Sequence, residues 1–358
     1  GLKRSIQPIA TLRLIFSLSE KMKNEFNKNN AFSMALSESS EESKDQIQYL
    51  IKLQGSLYAF ADNYISKILP AESIDPQNTQ LETRHSHQKI YSIGCANSWV
   101  ARSIIQTKQI LDSIILIPNI NKQSILDHTW SCTEMLLHCE SAYYSIYKET
   151  LDLMPKSDAI IEGDKKGAAI STLPQVEDLN GKVAVFLGNA KRFLKKTHEL
   201  LCIFYNAPNN SSNFQAYRDW LTKNKPDKKE IIELLEKDKD WIKQLSFMRN
   251  AHDINHAEAN FNLEIVNFKL YPGNKFSSPG WRFDFSGRQG SKQANFSDIV
   301  TNMDIHISNL LTFFEELLVL CIIGNSDKNY NFEIYRKQLN DINPKCPSVY
   351  SVAINKNR

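Results

Sequence analysis

The chain has 358 residues, enough for one large or two modest domains with a sizeable core. Its formal charge of +3 is too small to imply nucleic-acid binding by itself, so any such footprint must be local. Glycine and proline, at 12 each, are scarce for an all-β protein built on many tight turns.

In chain order, nearly every long segment reads as helix. Residues 8–28 are weakly amphipathic, and Ser37 to Asp45 is a polar break. Ile47 to Leu69 is expected to be helical, with Leu50, Leu53, Leu57, Phe60 and Tyr64 on one stripe. Pro70 to Gln80 reads as a linker, and a third helix is expected from Gln88 to Ile117. Ser124 is expected to cap a helix reaching Leu153, followed by a Gly/Pro/Ser-containing loop from Pro155 to Pro174.

The second half is better patterned. Val176 to Tyr205 and Phe214 to Thr222 read as helices, and Asp227 with Glu230 forms a capping box for the next one. The alternation in Trp281-Arg282-Phe283-Asp284-Phe285, with breaks at Pro272-Gly273 and Pro279-Gly280, predicts a β-hairpin within 261–286. A last helix is expected from Ser297 or Asp298 to Ile323, ended by Gly324. Its apolar run from Leu310 to Ile323 is too short for a membrane span and is interrupted by Glu315-Glu316. The tail from Asn325 is polar and expected to be loosely attached.

The candidate chemistry gathers at Met248-Arg249-Asn250-Ala251-His252-Asp253-Ile254-Asn255-His256. Ile242, Leu245, Arg249, His252 and His256 fall on one helical stripe that starts apolar and ends with a guanidinium and two imidazoles. Arginine can clamp a phosphate with parallel hydrogen bonds, and histidine can move a proton near neutral pH. The combination suits metal-free cleavage of an RNA phosphodiester. A structural network at a helix end, with Arg249 held by carbonyls or acids, fits the same spacing.

Arg249-Asn250 with His256, six residues separating Arg and His, resembles the signature of the HEPN superfamily, as does the preceding Trp241-Ile242. That resemblance, over residues 95–324, implies a helical bundle; with the periodicity read above, the expected fold is mainly α, a multi-helix HEPN-like bundle with a helical N-terminal extension over 1–80, a helical domain over 81–324 carrying one inserted β-hairpin at about 261–286, and a polar tail over 325–358. It implies a homodimer with facing motifs and, in many members, metal-independent endoribonuclease activity. Arg249 and His256 are then the catalytic positions and Asn250 their polar companion. His252 competes with His256 for the working role. The setting it implies is bacterial defence or a toxin–antitoxin system, with RNA as partner and a cognate inhibitor protein. Some HEPN members only bind, so a non-catalytic RNA-binding or protein-interaction module is the alternative.

Lys191, Arg192, Lys195 and Lys196 form like-charged i,i+4 pairs on one helix, which a phosphate backbone would relieve and which solvent would serve equally. Lys223, Lys225, Lys228 and Lys229 form a second cluster. His128, Cys132 and Cys139 share a stripe beside His138, and His85 and His87 form a pair, but no paired zinc motif occurs, so no metal and no cofactor are expected. The six cysteines read as reduced thiols of a cytoplasmic protein with no membrane partner. Dinucleotide, P-loop, hydrolase-elbow and kinase signatures are missing.

Overall fold

Trp130 is fully buried beneath an antiparallel sheet, with the rings of Tyr58, Phe60 and Tyr91 at 5.2, 5.7 and 6.2 Å. That sheet occupies sequence read as helix. The computed structural model describes residues 46–163, 172–207, 214–253, 261–273, 275–287, 290–292, 296–330 and 332–354. The helix expected over 8–28 lies outside them.

The sheet has the order β1 (Ile47–Leu53), β2 (Ser56–Ala61), β3 (Ile65–Leu69) and β4 (Ser86–Tyr91). Ile47, Tyr49, Ile51 and Leu53 alternate along β1 as well as any helical stripe does. Gln54 and Gly55 decide between the two: at φ 49° and 79° they form a two-residue hairpin turn joining Leu53 to Ser56. Leu50 and Leu57, placed on the helical stripe by sequence, are exposed instead. The expected helical extension is therefore corrected to strands over its described part. The helix expected from Gln88 begins only after β4, as α2 (Ser98–Val100), a π-helical segment Ala101–Ile105, and α3 (Gln106–Ser113); the short helix Ala71–Ile74 is α1.

Helix α4 (Lys122–Gly163) is capped by Asn121, whose side chain accepts from the Gln123 and Ser124 N–H groups, and it runs through Pro155 rather than stopping at Leu153. It packs along α5 (Leu179–Tyr205). Helices α6 (Phe214–Asn224) and α7 (Lys229–His252) follow; α7 is preceded by Lys228 with no side-chain cap, so the Asp227 box does not form. Helix α8 (Ile299–Gly324) starts at Asp298, which accepts from the Thr301 N–H at 2.7 Å. By length and composition α8 could cross a membrane, yet 61% of its most apolar window is buried inside the protein. Phe313 and Phe314 meet Phe193, Phe214 and Trp241, so its all-round apolar surface makes it the central helix.

Between α7 and α8 lies more than the single hairpin expected. Strand β8 (Gly280–Gly287) pairs antiparallel with β5 (Phe261–Val266), β9 (Gly290–Lys292) and β10 (Ser297–Asp298); β6 (Lys269–Tyr271) and β7 (Lys275–Ser277) pair separately. The 325–358 tail holds a fourth sheet, β11 (Phe332–Arg336) with β12 (Tyr350–Ile354), docked on the core. Four separate sheets among the described residues make this a mixed α/β fold, not a mainly α HEPN-like bundle. The tail is anchored by Gln106, whose Oε1 accepts from the Val349 and Tyr350 N–H groups at 2.7 and 2.8 Å. The Gln106 Nε2 donates to Glu315 Oε1 at 3.1 Å, and Arg102 pairs with the same buried carboxylate.

Candidate functional site

Ile242, Leu245 and Met248 bury one face of α7. At Arg249 that face turns polar where the helix ends against α5. The Arg249 Nη1 donates to Asp253 Oδ2 at 2.5 Å, and Asp253 closes the helix through its N–H to the Arg249 carbonyl. The Arg249 side chain is 32% exposed, so this end of α7 stays partly open to solvent.

Lys191, one of the expected RNA-binding cations, reaches across from α5. Its ammonium donates to Asn250 Oδ1 at 2.6 Å. Burial pushes its pKa down, the Arg249 cation pushes it further down, and Asp253 partly offsets both. Burial likewise lowers His252, seconded by Arg249, while a hydrogen bond to the Asn180 backbone and the Asp253 carboxylate oppose it. The unperturbed value is about 6.5, so His252 is neutral at pH 7.

The structure therefore brings Lys191, Arg249, Asn250 and His252 together with Asp253. Two cations share one carboxylate in a half-buried cluster, an arrangement an added anion would balance. Asp253 is the acid that the helix-end reading of Arg249 allows, and its i,i+4 spacing is visible in the sequence. The contact with Lys191 crosses between helices and has no local signal. His256 lies outside the described residues.

The remaining basic residues of α5 do not share this site. Arg192 and Lys195 are exposed. Lys196 is held by Glu199 at 2.7 Å, and the same carboxylate lies 3.3 Å from His128 Nε2. In the second cluster, Lys228 donates to the Gly324 carbonyl at 3.0 Å and thereby ties the end of α8 to the start of α7.

No family model, curated protein or solved structure matches this chain. The site must be read from its own chemistry.

Cys132 and Cys139 are fully buried, their thiols beside Thr197 Oγ1 and the Phe186 carbonyl. Burial raises the Cys132 thiol to about 12. His85 Nδ1 accepts from the Ala71 N–H at 3.2 Å. Among the described residues no group of three His, Cys, Asp or Glu could hold a metal ion.

Proposed function

We propose that the chain is a metal-independent endoribonuclease, with the side-chain cluster at the end of α7 as its active site. The observation that carries this reading is the surplus of positive charge at Lys191 and Arg249 directly beside a neutral imidazole, His252. A phosphodiester bound there would supply the missing negative charge. Arg249 would hold the nonbridging oxygens, with Lys191 and Asn250 fixing the phosphate's approach. A neutral histidine would take the proton of the 2′-hydroxyl; that oxygen attacks phosphorus, and the 5′-oxygen leaves with a proton from a general acid. The products are a 2′,3′-cyclic phosphate and a free 5′-hydroxyl.

This assigns the role to the site and not to a helical bundle. It extends to a homodimer, to action in bacterial defence or stress, and to control by an inhibitor protein in the cytoplasm, as the motif implies. Cleavage of a labelled single-stranded RNA in EDTA is the test, with Arg249→Ala as the control. Unchanged cleavage by that variant would remove the site from the reaction.

One observation favours the second reading, a non-catalytic RNA-binding or interaction module: the guanidinium of Arg249 is already engaged by Asp253. RNA binding that depends on Lys191 and Arg249, with no cleavage in any buffer, would establish that reading.

A further inference from the structure

Helices α7 and α8 run antiparallel. At one end the Lys228 ammonium donates to the Gly324 carbonyl at 3.0 Å; at the other, Trp241 meets Phe313 edge-on, ring centroids 5.9 Å apart. Between these contacts lies a cavity of about 470 Å³, at the opposite end of α7 from the Arg249 cluster. That volume lies in the range of small-molecule sites, about 300–1,000 Å³. Strand β12 adds Tyr350 to the lining, and the N–H of Tyr350 is fixed on Gln106 at 2.8 Å.

Helical spacing decides which side chains enter. Leu234 from α7, with Val319 and Leu320 from α8, makes an apolar lining. On α7 the carboxylates of Glu230 and Glu233 flank it one turn apart. On α8 the pair Glu315-Glu316 splits. Glu315 turns into the core to meet Arg102, whereas Glu316, about 100° further round the helix, lines the cavity at 33% exposure.

Three carboxylates thus share one lining ammonium. Lys237 lies 3.7 Å from Glu316 and is 69% exposed, a pairing worth little. Arg336, opposite Tyr350 across the C-terminal hairpin, is the next cation. The carboxylates of Glu230 and Glu233 have no partner among the described residues. Nor do three such groups converge on a metal-sized point there. The acids therefore suit positive charges spread along a chain, and the apolar lining between them suits methylene groups. From Glu230 to Lys237 the helix rises about 10 Å, room for a ligand that is long and thin.

We propose that this groove binds a linear aliphatic polyamine, its ammonium groups meeting the carboxylates and its methylenes the apolar lining. One ammonium displaces Lys237 from Glu316. The inference is independent of the ribonuclease reading.

The test is calorimetric titration of the full, RNA-free chain with spermidine at low salt, where charge pairing is least screened. Saturable one-to-one binding is expected, and putrescine, with one ammonium fewer, should bind more weakly. Glu233→Gln and Glu316→Gln should each weaken spermidine about tenfold, the scale of one charge-assisted hydrogen bond. Lys237→Ala should tighten it by freeing Glu316. Glu236→Gln, on the same helix but held by Arg218 and Lys239, should change nothing. No saturable binding of spermidine by the parent overturns the proposal. So does binding that Glu236→Gln weakens as much as Glu233→Gln, which is a diffuse charge effect, or that equimolar Mg²⁺ displaces. A groove that takes a Lys/Arg-rich peptide but not spermidine overturns it as well.

Discussion

Lys191 donates to the side-chain oxygen of Asn250 at 2.6 Å, joining the middle of one helix to the last turn of another. The contact holds an ammonium beside the Arg249 guanidinium although the two cations repel. Asp253 is the carboxylate that offsets both charges, so the repulsion between the two cations is only partly balanced.

If this cluster engages RNA, Lys191→Met should weaken binding about equally across sequences and reduce the slope of log K against log salt by about one. Arg249→Ala should lower cleavage by roughly 100- to 1,000-fold, the usual result of losing a donor to the transition-state oxyanion. Its partner is a partly exposed ion pair, so the stability loss should stay near 1 kcal/mol or below. Filter binding across salt, single-turnover cleavage and urea unfolding give the three readouts.

The working histidine should declare itself by pH. His252 has its pKa lowered, first by burial, so as a base it gains function with an inflection below pH 6.5. The acidic limb of the kcat/KM profile should fall there and disappear in His252→Ala. An inflection at or above 6.5 that survives this substitution, and is lost in His256→Ala, would transfer the role to His256.

His306 predicts an acid-sensitive fold. It is buried beside Trp281 with no hydrogen-bond partner for Nδ1 among the described residues, and burial drives its pKa down to about 4. The unfolded chain takes up that proton near pH 6.5 and the folded protein only near 4, so stability is complete above 6.5 and is lost as pH falls between the two values. The loss approaches about 3 kcal/mol. His128, His198 and His252 are lowered too and push the same way. Urea midpoints at pH 7.5 and 5.0 should therefore differ, and His306→Leu should shrink the difference without abolishing it. An unchanged difference in that variant would refute the assignment.

Arg102→Ala should be among the most damaging single changes. Glu315 is 3% exposed, and burial raises its pKa while Arg102 opposes that rise. Without the arginine, an uncompensated carboxylate remains in the core, at a cost of about 3–5 kcal/mol. The damage should be greater at pH 8 than at pH 5, because protonation then relieves the buried charge. Replacing both residues, as Arg102→Met with Glu315→Leu, should recover most of the loss in guanidinium unfolding.

How much of this was legible in the sequence depends on the range of the interactions involved. Helices α5 to α8 were readable because their apolar residues recur over many turns, as in Val183, Phe186, Ala190 and Phe193. The first sheet is not legible from its leucines, because their helical intervals coincide with a period-two pattern and only the Gln54-Gly55 turn separates the two. The docking of the tail is not legible in the sequence, because its anchor is a pair of backbone N–H groups, which have no residue signature. At the site, Arg249, Asn250 and His252 stood out as polar residues on an apolar stripe. The basic α5 face splits for two reasons: Lys191 turns to Asn250 on another helix, which leaves no local signal, whereas Lys196 pairs with Glu199 at i,i+3 on its own helix, which the sequence does show.

The Gln106 amide also sets an order of events during synthesis. Its oxygen receives donors from Val349 and Tyr350, so 243 residues must follow Gln106 before the first of those groups exists. At 5–20 residues per second that interval is about 12–50 s. Throughout it the carbonyl oxygen of Gln106 has to be served by water or by a chaperone surface. A nascent chain held on the ribosome short of Val349 should accordingly show the α2–α3 region open to proteases that leave the finished protein intact.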